Sequence, residues 1–270
     1  MTFLNQLMRL PYVHGLWMKM PVGSVRARTY HGIFPYPHYA YGAYWSAYLA
    51  KQLGIRRITV VEFGVAGGRG LLNLQSASQQ IEAELGVGID VVGFDTGGGM
   101  PDPIDYRDLP HIWGKGFYKM DHEKLRKQLT TAKLILGDVR DTVPAFLATP
   151  GLAPVGFVAF DLDYYSSTKT AFRIFEDGDT KCLPRVHCYF DDVASNDLGC
   201  MNEYVGELLA IREFNEAHAR QKICKFENLR LSRPRWEHWQ EKMYVYHNFD
   251  HPEYARQVIP LEARHTERPL

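Results

Sequence analysis

Val60-Val61-Glu62-Phe63-Gly64-Val65-Ala66-Gly67-Gly68 carries an apolar run directly into a glycine-rich turn. Residues 56–63 form an apolar, β-branched run that passes straight into glycines, and a helical pattern follows over 71–85. A strand buried on both faces reads as a continuous apolar run, which Ile58, Val60 and Val61 supply. Glycine in such a turn admits positive φ and lets the backbone approach a ligand closely. The spacing over Gly64, Gly67, Gly68 and Gly70 is G-x-x-G-G-x-G, not the dinucleotide pattern G-x-G-x-x-G. Taken alone, these glycines fit an ordinary strand-to-helix turn equally well. Glu62 shifts the reading. A carboxylate in an apolar strand needs a partner, and a ligand amine would serve, whereas a pyrophosphate would be repelled. S-adenosylmethionine (SAM) carries a cationic amine, so Glu62, Gly64, Gly67 and Gly68 are expected to bind SAM.

Outward from this turn, further strands are expected at 89–94, 133–136, 155–160, 185–190, 223–231 and 242–249. Helices are expected at 42–54, 71–85, 120–130, 167–175 and 201–219, with another piece starting near Val143. That alternation predicts an α/β fold: a seven-stranded, mostly parallel, Rossmann-like sheet with helices on both faces. Residues 1–54 read as an aromatic-rich helical cap or lid, 55–250 as the cofactor-binding domain, and 251–270 as a polar, proline-punctuated tail.

Composition bounds the rest. The 270 residues are 46% hydrophobic and 23% charged, which suits one large globular domain. Lys+Arg and Asp+Glu are both 31, so no net field draws nucleic acid. Cys182, Cys188, Cys200 and Cys224 form no C-x-x-C pair, which argues against a zinc site or disulfide framework and suits a reducing cytoplasm. No apolar run is long enough to span a membrane. Residues 1–20, with Leu4, Leu7, Leu10, Leu16 and Trp17, lack the long apolar core of a signal peptide. They read as a cap on the domain, or as a contact for a membrane or a partner subunit. Homo-oligomerisation stays open. The aromatic segment from Tyr30 to Tyr48 reads as core and lid packing, or as the wall of a pocket for a ringed substrate.

Acidic residues stand at the strand ends. Asp95 ends the second strand, where a carboxylate can accept hydrogen bonds from ribose hydroxyls. Asp138 follows the third and is expected near an adenine edge, with Asp141 capping the next helix. Asp161 and Asp163 follow the fourth, and Asp191 and Asp192 the fifth. Carboxyl ends of neighbouring parallel strands meet at one rim, and four acids there repel unless a cation neutralises them. Oxygen ligands with room for water suit Mg²⁺. His187 reads as a core histidine and His111 as a solvated loop residue able to reach a substrate.

Glu62-Phe63-Gly64-Val65, Asp95-Thr96-Gly97-Gly98-Gly99-Met100-Pro101, Gly137 through Pro144, and Asp161-Leu162-Asp163-Tyr164-Tyr165-Ser166-Ser167-Thr168 occur in that order. Together they resemble the macrocin O-methyltransferase family, class I SAM-dependent enzymes that methylate sugar hydroxyls of natural products. Asp161, Asp163, Tyr165, Ser167 and Thr168 meet the family's D-x-D-x-Y-x-S-T pattern, and Asp191-Asp192 its acidic pair. The resemblance implies Mg²⁺ on Asp161, Asp191 and Asp192, with Asp161 and Asp191 catalytic and Asp161 also beside the cofactor. It implies methyl transfer to a hydroxyl of a sugar-containing or other small-molecule acceptor. Catechol O-methyltransferase is similar in metal logic, but its lysine three residues after the first metal aspartate is Tyr164 here. A metal-independent methyltransferase using His111 as base, and a non-catalytic SAM-fold partner protein, are the competing readings.

Overall fold

The computed structural model describes residues 11–176, 181–194 and 197–259. Residues 1–10 of the N-terminal segment and 260–270 of the tail lie outside the described residues. The described residues open with three helices, α1 (Pro11–Lys19), α2 (Val25–His31) and α3 (Pro37–Leu53). The alternating part then runs β1 (Arg57–Phe63), α4 (Arg69–Leu85), β2 (Gly88–Asp95), α5 (His122–Arg126), β3 (Lys133–Leu136), α6 (Val139–Leu147), β4 (Val155–Phe160), α7 (Tyr165–Ala171) and β5 (Cys182–Phe190). It closes with α8 (Gly206–Ala217), β6 (Gln221–Lys225) and β7 (Met243–Asn248). The sheet has seven strands in the order β3-β2-β1-β4-β5-β7-β6. β1 to β5 are parallel neighbours, and β7 runs antiparallel to both β5 and β6. The expected sheet is therefore present.

Side chains of successive strand residues point to opposite faces, and the contacts show both faces covered. On β1, Glu62 meets Tyr39 of α3, while Phe63 stacks on Phe94 and Phe160. On β5, Tyr189 meets His38 of α3, while Phe190 packs on Phe172 just beyond α7. The central strands are buried accordingly, with every residue of β4 and all but Arg57 of β1 out of solvent.

Of the N-terminal helices, α3 belongs to the core and α2 is docked beside it, whereas no described side chain of α1 is buried. α3 starts at Pro37, five residues before the expected 42, because proline suits the first helical turn. It ends at Gly54, whose left-handed backbone lets its N–H reach Ala50 and Lys51 carbonyls. Tyr39, Ala40, Ala43, Tyr44, Ala47 and Ala50 are all buried. Ser46 donates from this helix to the Gly156 carbonyl of β4. α2 is docked by Glu84 of α4, which accepts from the Val25 and Arg26 N–H groups at the helix start.

Three expected elements shrink, the first two for a local reason. The helix expected at 120–130 spans only His122–Arg126. Beyond it Gln75 Oε1 accepts the N–H groups of Thr130, Thr131 and Ala132 at 2.8, 2.9 and 2.9 Å, fixing an extended approach to β3. The strand expected at 223–231 ends at Lys225. Asn228 turns left-handed at φ 59° and Leu229–Ser232 coil into a 3₁₀ turn. The long helix expected from 201 starts at Gly206. Among the described residues, no helix is long and apolar enough to cross a membrane.

Candidate functional site

The site forms where four parallel strands end in register. Phe94, Phe63, Phe160 and Phe190 are cross-strand partners on β2, β1, β4 and β5. Their rings stack with centroids 4.9, 5.5 and 4.6 Å apart and all four are fully buried. The residue after each is Asp95, Gly64, Asp161 or Asp191, so one phenylalanine floor carries the whole rim. Backbone hydrogen bonds continue past the strand ends and fix it: Gly64 N–H to Phe94 O, Asp161 N–H to Phe63 O and Gly137 N–H to Asp95 O, at 2.9, 3.0 and 2.9 Å. Gly64 has φ +85°, and a Cβ there would lie 1.7 Å from the Asp161 carbonyl oxygen. Glycine is thus what lets the cofactor-type turn touch the acidic strand end.

A cavity of about 340 Å³ opens above this rim, a size suited to a small ligand. Of the expected cofactor residues, Gly64, Asp95, Asp138 and Asp161 line it, together with Asp163, Asp191 and Asp192. Glu62, Gly67 and Gly68 are not on that wall. Gly68 caps α4 with a left-handed backbone, and Glu62 lies buried behind the turn. Both oxygens of Asp95 accept from backbone, Oδ2 from Ala66 at 2.8 Å and Oδ1 from Gly97 at 2.6 Å, which closes the glycine turn around it. The capping assignment is corrected. α6 begins at Val139, and it is Asp138, not Asp141, whose carboxylate accepts from the Arg140 N–H at 2.8 Å. Asp138 also pairs with the Arg140 guanidinium, which holds it below the usual carboxylate range.

Asp161, Asp191 and Asp192 each offer an oxygen, all within 4.8 Å of one another. Burial first, then the neighbouring carboxylates, push Asp161 well above the usual range. Asp192 and Asp163 are raised for the same reasons. Asp191 differs. Burial raises it, but Tyr189 Oη at 2.6 Å and Lys242 Nζ at 2.9 Å both donate to Oδ1, and the balance lies below the usual range. Asp192 is held by its neighbours: its N–H donates to Glu207 Oε2 at 3.0 Å, and its Oδ2 accepts from the Asp163 N–H at 3.1 Å. Glu207 is itself fully buried, with its proton affinity raised by burial and by Asp192.

The loop between β2 and α5 forms the opposite wall through Met100, Pro101, Trp113 and Tyr118. It is not slack. Asp108, fully buried, accepts from Ile104 N–H, Ser166 N–H and Ser166 Oγ at 2.8, 2.8 and 2.9 Å. The Arg107 guanidinium lies 4.5 Å over the Tyr165 ring. Both contacts pin the loop to α7. Tyr118 sits at φ 58° on this wall, and burial followed by Asp163, Asp192, Asp161 and Asp191 raises its hydroxyl.

Several expectations resolve here. Tyr164 is fully buried and donates to the Pro101 carbonyl, so it takes no lysine-like place in the cavity. A lysine does reach the acids, but it is Lys242, which stands just before β7 and after 50 intervening residues from Asp191. His111 is exposed and off the cavity wall. His187 lies inside β5 beside Ser46 Oγ, and burial pushes it down to about 4. Lys242, Tyr189, Glu207, Asp108 and Tyr118 were not singled out from the sequence. Phe-Asp at 94–95, 160–161 and 190–191 marks three ends of the parallel strands, but it also occurs at 249–250 beyond the antiparallel β7, and no local signal points to these five side chains.

No family model matches the chain, and no curated relative does. Solved structures do resemble it. CalS11, a calicheamicin methyltransferase, aligns over 77% of this chain and 78% of its own at 23% identity, with a TM-score of 0.51. The O-methyltransferase NovP aligns over 78% of this chain and 80% of its own at 13% identity, with a TM-score of 0.52. At these identities the likeness is one of fold: the chain has the Rossmann-like fold of class I methyltransferases.

Proposed function

We propose that the chain transfers a methyl group from SAM to a hydroxyl of a small-molecule acceptor, a sugar-containing one, with Mg²⁺ held by Asp161, Asp191 and Asp192. The observation that carries this is the single cavity on whose wall the Gly64 turn and Asp95 meet those three acids. CalS11 and NovP, which share the fold, are methyltransferases by name. The macrocin-type motifs point the same way and favour a sugar hydroxyl.

The acids fit a metal ion. All donors are oxygen, as Mg²⁺ prefers, and the mutual repulsion and burial that raise Asp161 and Asp192 are costs a cation removes. When bound, such an ion lowers the pKa of an acceptor hydroxyl and fixes its orientation. The chain's own residues supply the rest. Tyr189 and Lys242 keep Asp191 ionised. Asp163 stands beside the three acids on the cavity wall. Asp95 and Asp138 face the nucleoside end, Glu62 accepts the cofactor's ammonium through its unpartnered Oε2, Gly67 and Gly68 shape the turn, and Trp113 and Tyr118 exclude water from the other wall.

The test is a panel of nucleotide-linked sugars and catechols incubated with SAM, scored for S-adenosylhomocysteine (SAH) release with Mg²⁺ or with EDTA. Release should require both acceptor and Mg²⁺, and Asp192→Ala should lose turnover while still binding SAH in a calorimeter. Undiminished turnover in EDTA would remove the metal from the account.

A further inference from the structure

The first turn of α3 meets the cofactor-type turn on the face opposite the phenylalanine floor. Tyr39 donates its hydroxyl to Glu62 Oε1 at 2.7 Å, and both residues are only 2% exposed. Gly70, at the start of α4, lies against that same oxygen: a Cβ there would stand 1.8 Å from Oε1. A side chain at position 70 and the Tyr39–Glu62 bond exclude each other. The last glycine of the run therefore serves the carboxylate. The ring of Tyr39 is itself held edge-on by Phe157 and Tyr189, with centroids 5.9 Å away in each case, and by His38 at 4.6 Å. Its hydroxyl direction is set by packing.

Glu62 Oε2 is different. It is buried and has no hydrogen-bond partner among the described residues. A buried carboxylate oxygen left without a donor is costly, and such an atom marks where a ligand's donor belongs. Gly64, two residues on, is already on the cavity wall.

We infer that Tyr39 is a positioning residue for the amino-acid end of the cofactor: by occupying Oε1 it holds Glu62 so that Oε2 accepts the ligand's ammonium. This rests on the SAM reading of the site. It also gives the N-terminal segment a part in ligand recognition through Glu62, since Tyr39 belongs to α3 and not to the alternating domain.

Two probes separate this role from simple packing. SAH carries the ammonium; 5′-methylthioadenosine keeps the adenosine and thioether but lacks the amino-acid group. Each is titrated calorimetrically into the wild-type chain and into Tyr39→Phe, which preserves the ring and removes only the hydroxyl. The expected result is SAH weakened about tenfold in the variant, with methylthioadenosine changed by less than about twofold. Gly70→Ala, which pushes on the same oxygen, should act in the same direction, and melting of the unliganded variants checks that they fold. Equal loss of both ligands, or loss of neither, would overturn the role of Tyr39 while leaving the nucleoside pocket standing. A wild-type chain that binds neither would overturn the SAM reading together with it.

Discussion

The two faces of the sheet beneath the rim are built from opposite chemistry. One face presents Phe63, Phe94, Phe160 and Phe190, four stacked hydrocarbon rings with no polar atom to satisfy. The other presents Glu62, Tyr39, Tyr189 and His38, in which each ring is packed and each tyrosine hydroxyl is committed to an acid. The two faces divide the labour. The phenylalanine face fixes where the strand ends lie, and hence where Asp95, Asp161 and Asp191 start. The polar face fixes which way the acids point and which of their oxygens stay free. Stability should depend mostly on the first face and ligand affinity mostly on the second.

The largest effect should come from breaking the hydrocarbon face. Phe160 is fully buried at its centre, so Phe160→Ala should cost about 3–5 kcal/mol in denaturant unfolding. A loss below about 1 kcal/mol would mean the floor is not continuous.

Tyr189→Phe tests the polar face in isolation. It keeps the stack on His38, whose centroid lies 4.1 Å away, and removes only the donor to Asp191. Partners that orient metal ligands are worth about 10–100-fold in metal affinity, so Mn²⁺ binding should fall within that range. Unfolding free energy should change by no more than about 1 kcal/mol. Equal Mn²⁺ affinity with a large stability loss would reverse the assignment of the two faces.

A smaller effect is expected from pH. Burial and mutual repulsion raise Asp161, Asp163 and Asp192, with Asp192 at about 7. Between the ordinary aspartate range and these raised values the folded chain holds more protons than the unfolded one. Stability of the metal-free protein should therefore fall as pH rises through that window. Asp191, held low by Tyr189 and Lys242 against its burial, contributes the opposite sign, present at higher pH and lost only as acid protonates it. Melting at pH 6 and pH 8, with EDTA and with Mg²⁺, reads the balance. The metal-free protein should melt lower at pH 8, and Mg²⁺ should reduce the difference.

The same two faces explain what was legible beforehand. Apolar runs ending in the glycine turn or in aspartate are local signals, and they located β1, β2, β4 and the start of the rim correctly. Asp95, Asp161, Asp191 and Asp192 are on the cavity wall because strand ends in a parallel sheet must meet. The polar face is assembled from residues far apart in sequence, and nothing near Glu62 announces Tyr39, nor anything near Asp191 announces Lys242. The reach of a side chain also decided local boundaries. Asp138 caps α6 in place of Asp141 because its extended backbone brings its carboxylate to the Arg140 N–H, and Gln75, 55 residues before Thr130, holds the chain beyond α5 by taking the Thr130 N–H. Motif order carried the fold; the partners of the motif acids are a property of the tertiary structure.

The most direct measurement is a calorimetric titration of SAH into the wild-type chain and into Asp95→Ala, whose carboxylate closes the glycine turn and lines the cavity. Saturable one-to-one binding to the wild type and clearly weaker binding to the variant are expected. No heat of binding to the wild type, or the same affinity in both, would contradict a SAM site at this rim.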